Sequence, residues 1–215
     1  MECGVGKGHG AIAHLCPFMY NFLKFSGALR RFAEEEFAMA DRYLVVVDMQ
    51  KDFVDGALGT PEALAMLPAL EEKLKVFDGV VLATMDTHGS DYLETSEGRK
   101  LPVTHCVEGT PGWALDARIA PLLEEKHAEL FRKPTFGSVA LAEELARRAK
   151  QGLVASVEFV GLCTDICVVS NALLVKAFLP ELPLRVDSRC CAGVTPESHE
   201  AALKTMESCQ IEVQW

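Results

Sequence analysis

The chain has 215 residues, about one domain at roughly 150 residues each. With 49% hydrophobic and 24% charged residues it can bury a sizeable core, which excludes a disordered or collagen-like chain. The formal net charge of −10 argues against a nucleic-acid footprint or an anionic membrane surface as partner. No stretch reaches the ~20 uninterrupted apolar residues of a membrane span. The first residues lack the charged, apolar and small-residue order of a signal peptide, so a cytoplasmic protein with reduced thiols is expected from its eight cysteines.

Composition shifts once, near residue 40. The opening glycines, Gly4 to Gly10, match neither a phosphate-binding loop nor a dinucleotide fingerprint, and Cys3, His9, His14 and Cys16 fit no common zinc spacing. The run Glu34-Glu35-Glu36 stands just before Met39, and purine-rich glutamate codons there would resemble a ribosome-binding site. The expectation is that translation begins at Met39, with residues 1–38 an extension outside the fold and 39–215 a single domain.

From Arg42 the pattern is regular. Tyr43 to Asp48 is a short, continuous β-branched run, the mark of a strand buried on both faces. Thr60-Pro61 opens a helix running to Phe77, which Pro68 should kink or split. Val80 to Met85 is a second buried strand and Ala128 to Arg132 a weaker third, followed by a helix over Ser138 to Lys150. Ser156 to Val160 is a fourth strand, after which Thr164 or Asp165 should cap a helix reaching Phe178. Leu184 to Val186, Pro196 to Met206 and Ile211 to Val213 complete the alternation as strand, helix and strand. Alternating strands and helices predict a three-layer α/β/α fold around a mainly parallel sheet of about six strands.

Polar residues gather where these strands end, which is where sites form in open parallel sheets. Asp48 closes the first strand, Asp86 and His88 the second, Lys133 follows the third, and Cys167 follows the fourth. A cysteine is usually a small buried hydrophobe. Cys167 differs by its place in the first turn of a helix, where free N–H groups and the dipole favour a thiolate and could hold an oxyanion. Lys133 is either a solvated loop charge or, beside Pro134 and Gly137, a fixed cation that lowers a thiol pKa. Asp48 would be costly to bury without a partner, and a lysine and a thiol would give it one together with acid–base work. Asp86 and His88, two apart in extended chain, point the same way, and His105 can fold back to meet them as carboxylate and imidazole ligands for zinc, iron or manganese. Taken singly, Asp86 reads as well as a cap and His88 as a surface histidine.

The stretches Val46-Val47-Asp48-Met49-Gln50-Lys51-Asp52-Phe53, Asp86-Thr87-His88, His105 to Gly112, Lys133 to Phe136 and Gly161 to Val168 together resemble the isochorismatase-like cysteine hydrolases, their nicotinamidase branch above all. The resemblance runs from Tyr43 to the C-terminus and leaves residues 1–38 without a counterpart. It implies Cys167 as nucleophile, Asp48 as acid/base and Lys133 as the stabilising cation. It further implies a cis Leu162–Cys163 peptide that turns the Cys163 N–H toward the site beside that of Cys167 as an oxyanion hole. A divalent metal, zinc before iron or manganese, is implied on Asp86, His88 and His105, with Glu97 chosen over Glu94 as fourth ligand by its spacing to His105.

The implied reaction is hydrolysis of nicotinamide to nicotinate and ammonia through a thioester, in a pocket formed by Phe53, Leu101 and Leu162; a homo-oligomer is also implied. One departure concerns the substrate. Nicotinamidases usually carry an aromatic residue before the second metal histidine, where this chain reads Leu101-Pro102-Val103-Thr104. Trp113 or Tyr92 are the available substitutes. The alternative reading keeps the triad but takes another small amide, an N-carbamoyl or a ureido compound, with Arg99 or Arg189 for a substrate carboxylate. A thiol redox protein fits less well, because Cys163-x-x-x-Cys167 has the wrong spacing and leaves Asp48 and Lys133 unused.

Overall fold

A computed structural model of the chain describes residues 40–215, and the expectations for the opening glycines, for Cys3, His9, His14 and Cys16 and for a start at Met39 lie outside these residues. Six strands, β1 (Asp41–Val47), β2 (Val80–Asp86), β3 (Glu129–Lys133), β4 (Val154–Leu162), β5 (Leu184–Ala192) and β6 (Glu212–Gln214), form one sheet. Their order is β3-β2-β1-β4-β5-β6, and every neighbouring pair is parallel. The strands at the centre are apolar on both faces, as two-sided cover demands: Leu44 to Val47 of β1 are fully buried, as are Val157, Phe159 and Val160 of β4.

Seven α-helices connect or flank the strands: α1 (Lys51–Val54), α2 (Pro61–Val76), α3 (Ser96–Lys100), α4 (Ala120–Glu125), α5 (Val139–Lys150), α6 (Val169–Phe178) and α7 (Pro196–Ser208). Four of them have side-chain caps that fix their first turns: Thr60 accepts from the Ala63 N–H, Thr95 from Gly98, Ser138 from Leu141, and Thr195 forms a reciprocal box with Ser198. Among the described residues no helix is long and apolar enough to cross a membrane.

Three expectations need correction. Pro68 neither splits nor ends α2, which is continuous over 16 residues. Pro68 lies on the exposed side of α2, where the carbonyl left without its N–H partner can bond water. Neither Thr164 nor Asp165 caps the helix after β4. The residue at that place is Cys163, without a side-chain cap, and Thr164–Val168 form a π-helical turn before α6. Finally, β5 continues six residues past Val186, to Ala192, through Asp187, whose burial is supported by ion pairs with Lys73 and Arg189.

Gly161 explains how the β4 end reaches β1. It has φ +114, and a Cβ there would lie 2.2 Å from the Val47 carbonyl oxygen, so the two strand ends can approach only with glycine at this position. The next peptide but one, Leu162–Cys163, is cis.

Candidate active site

Four neighbouring strands, β3, β2, β1 and β4, end side by side: Val47 pairs with Thr84 and with Gly161, and Asp86 with Lys133. This register brings one functional side chain from each strand end to a common centre. Lys133 Nζ lies 2.7 Å from Asp48 Oδ2, 3.3 Å from Cys167 Sγ and 3.3 Å from Asp86 Oδ1. Asp48 takes a left-handed backbone, φ 47, at the turn out of β1, and its Oδ1 accepts a 2.7 Å hydrogen bond from the Thr84 hydroxyl. Asp48, Lys133 and Cys167 are 0%, 1% and 4% exposed, so their charges meet little water.

Burial sets the protonation states. Burial together with the Asp86 charge holds Asp48 above the usual carboxylate range despite Lys133. For Lys133 burial works against the charge, but Asp48, Cys167 and Asp86 outweigh it and keep the ammonium protonated. The Cys167 thiol is pushed well above its ordinary value by burial and by Asp48, and Lys133 offsets this only in part. Burial thus raises both the thiol and the carboxylate near it, and Lys133 faces both.

The second cluster is built by chain pairing. His88 N–H donates to the Cys106 carbonyl and Glu108 N–H to the His88 carbonyl, a parallel bridge that lays the His105 loop beside the end of β2. Asp52, on α1, accepts from the Cys106 N–H at 2.8 Å and fixes the same loop from the other side. As a result one donor atom from each of Asp86, His88 and His105 lies within 4.8 Å of the others. His88 Nε2 is 2.9 Å from Asp86 Oδ2, and His105 Nε2 is 3.6 Å from it. Glu97 Oε1 stands 3.7 Å from His88 Nε2 and 3.8 Å from His105 Nε2. Glu94 is exposed.

This donor set fits a metal. His88 Nε2 is buried without a hydrogen bond of acceptable geometry, although a carboxylate oxygen is 2.9 Å away, which is how two atoms sit when both aim at a third. Separations of about 3–3.6 Å are what donors bound at about 2.1 Å to one tetrahedral ion require. His105 Nδ1 faces the Val103 carbonyl at 2.8 Å, which leaves Nε2 for coordination. Burial would raise the Asp86 pKa, but its bonds to His105 and His88 and the Lys133 charge hold it far below the usual carboxylate range.

Both clusters open into one cavity of about 550 Å³, whose lining includes Asp86, Glu97, His105, Cys163 and Cys167. Phe53 and Leu101 line it as expected from the sequence, whereas Leu162 does not: it is 1% exposed and packed in the core. The substitutes considered for the missing aromatic stand elsewhere. Tyr92 packs on the His88 and His105 rings at 4.6 and 4.9 Å, and Trp113 donates to the Thr87 hydroxyl under the Arg132 guanidinium. Phe136 supplies the second aromatic wall. Arg99 and Arg189 are not among the lining residues; Arg99 binds the Glu94 carbonyl and Arg189 pairs with Asp187.

Several supporting contacts are not legible in the sequence. Thr84 bonds Asp48. Buried Gln50 accepts from the Asp86 N–H and donates to the Asp86 and Trp113 carbonyls, so one amide fixes the end of β2. Thr164 pairs with His199 Nδ1 at 2.8 Å, and Asp165 accepts from the Val194 N–H, which together tie the Cys167 turn to α7 and its approach. A polar residue inside an apolar run, as Thr84 is in Val80 to Met85, is the signal that could have marked the first of these.

Comparison with known proteins agrees with this architecture. The model of the isochorismatase domain matches residues 42–214. The nicotinamidase/pyrazinamidase of Mycobacterium tuberculosis is 30% identical over 187 residues, covering 80% of this chain and 97% of that protein. The nicotinamidase of Schizosaccharomyces pombe is 26% identical over 205 residues, covering 79% and 91%. Among solved structures, the nicotinamidase/pyrazinamidase of Bacillus subtilis superposes with a TM-score of 0.69 at 27% identity, covering 81% of this chain and 99% of that one. The pyrazinamidase of Pyrococcus horikoshii, solved in complex with zinc, gives a TM-score of 0.64 at 27% identity with the same coverage. The chain belongs to the isochorismatase-like hydrolase family, in its nicotinamidase branch.

Proposed function

We propose that the protein hydrolyses nicotinamide to nicotinate and ammonia through a Cys167 thioester. The observation that carries this reading is the opening of the Asp48–Lys133–Cys167 cluster and the Asp86–His88–His105 cluster into one cavity. Substrate binding brings the amide carbonyl to Cys167; Asp48, whose basicity burial has raised, accepts the thiol proton as sulfur attacks. The backbone N–H groups of Cys163 and Cys167 receive the developing oxyanion. Asp48 returns the proton to the amide nitrogen, so that ammonia leaves, and then activates the water that hydrolyses the thioester. Lys133 remains an ammonium throughout and keeps Asp48 oriented toward the sulfur.

Asp86, His88, His105 and Glu97 would hold one divalent ion, zinc in preference to iron or manganese for this donor set. Such an ion supplies a Lewis-acid contact for the pyridine nitrogen and orients the ring. The apolar face of Phe53 borders the ring. Neither arginine considered for a substrate carboxylate lines the cavity, and Lys100 is the lining cation that remains for one.

Ammonia release from nicotinamide by the full chain tests the reading, with Cys167→Ala and a chelated sample alongside. Release lost in both controls is expected. No release from protein shown to hold stoichiometric metal would overturn the nicotinamide assignment and turn attention to N-carbamoyl and ureido compounds.

A further inference from the structure

The shape of the cavity carries an inference about substrate class, which rests on the amide-hydrolase reading. At about 550 Å³ the cavity falls in the range that encloses drug-sized ligands, far more than a single-ring amide fills. Its reactive groups lie in the buried part of the lining: Asp86, His105 and Cys167 are each at most 4% exposed. Three large apolar side chains stand at the open side. Leu101, Phe136 and Val194 are 37%, 45% and 50% exposed. They come from three separate segments, the residue ending α3, the loop after β3 and the loop after β5.

Single exposed hydrophobic residues are ordinary, but three that converge from different segments on one concave surface are how a protein presents an apolar subsite. Of the charged lining residues, Asp86, Glu97 and His105 belong to the histidine cluster, and Lys100 is the one further charge. The Val194 N–H donates to Asp165 on the turn that carries Cys167, which ties this part of the wall to the nucleophile's segment.

We propose that Leu101, Phe136 and Val194 form a second, apolar substrate subsite, and that the enzyme takes aromatic amides extended by an apolar group beyond the first ring. A fused bicyclic carboxamide is the simplest member of that class. Its second ring removes the three side chains from water while the amide reaches Cys167.

The test compares kcat/KM of the metal-loaded full chain for nicotinamide, for quinoline-3-carboxamide and for a nicotinamide carrying a carboxylate-ended chain. The bicyclic amide is expected to exceed nicotinamide roughly tenfold, through a lower KM, and the carboxylated compound to show no such gain. Val194→Asp and Phe136→Ser should each lower the bicyclic-to-nicotinamide ratio roughly tenfold, whatever they do to either rate alone. Hydrolysis of nicotinamide with exclusion of the bicyclic amide, a preference for the carboxylated compound, or variants that lower both rates alike would each overturn the subsite. If none of the amides is turned over, the reaction assignment fails instead. Titration of the same ligands onto the Cys167→Ala protein then still decides the subsite: roughly tenfold tighter binding of the bicyclic amide supports it, and equal or weaker binding overturns it.

Discussion

Two aspartates in this molecule are completely buried beside a lysine, and they behave in opposite ways. Asp187, on β5, is held by Lys73 at 2.7 Å and by Arg189 at 2.9 Å, and it also accepts from the Arg189 backbone N–H. Burial pushes its pKa up, but the Arg189 and Lys73 bonds outweigh it and bring the group below its ordinary value. Asp48 has Lys133 and the Thr84 hydroxyl, yet a second carboxylate, Asp86, shares the same lysine, and the pKa stays raised. The lesson is arithmetic of charge. Asp187 and Glu158 share Lys73 and Asp187 adds Arg189, so two cations between two carboxylates make a structural staple, whereas one cation between two carboxylates leaves a base able to take a proton.

The comparison breaks if the two aspartates respond alike to amide substitution. Asp48→Asn should cost about 10³-fold in the rate of ammonia release. Asp187→Asn should reduce the unfolding free energy by about 3 kcal/mol, read by urea titration, and change kcat/KM by no more than about twofold. Chelation with exchange into metal-free buffer should lower the thermal midpoint by several degrees at unchanged ionic strength, since an ion held by folded protein alone stabilises by mass action; Asp187→Asn should show the same drop.

A finer contrast comes from Thr84→Val, which removes the hydroxyl donor to Asp48 and keeps the shape. We expect roughly a tenfold fall in kcat/KM, with a shift of the acidic limb of the rate profile to higher pH, because the carboxylate loses a bond that favours its charged form. The smallest effect concerns acid stability. Asp187 has a lowered pKa in the folded protein, so its contribution is fully present above the unfolded value near pH 4 and is lost as pH falls toward the folded value. The stability gap between the native chain and Asp187→Asn should therefore narrow below about pH 4. A gap that widens there would contradict the pairing.

Much of this was legible in the residues because burial at the centre of a parallel sheet leaves a plain trace. The apolar runs of β1 and β2 and the polar residues just past them mark both the sheet and the line along which the site lies. What stayed hidden depends on partners distant in sequence. β5 reads as three residues because Asp187, Ser188 and Arg189 look like a loop, and only Lys73, on α2, explains how an aspartate is accommodated there. The Cys167 turn reads as an ordinary capped helix, since a π-helical start has no local signature. A helix start and a nearby lysine are visible in sequence, whereas the two carboxylates and the depth of burial that oppose them at Cys167 belong to the fold. Leu162, apolar and next to the site in sequence, turns into the core, and Phe136, which lies in a recognisable stretch, turns out toward the cavity.

Asp86 has a consequence that reaches across the whole centre. Its Oδ1 faces Lys133 and its Oδ2 faces His88 and His105, so one carboxyl group is shared by the nucleophile's half of the site and the histidines' half. Whatever draws electron density from one oxygen weakens the hold of the other on its neighbour. The two halves are therefore linked through a rigid side chain with no moving part, and a change of occupant at the histidines is felt as a change of acidity at Lys133. Substitution of Asp86 cannot be assigned to one half alone; it cuts the conductor between them.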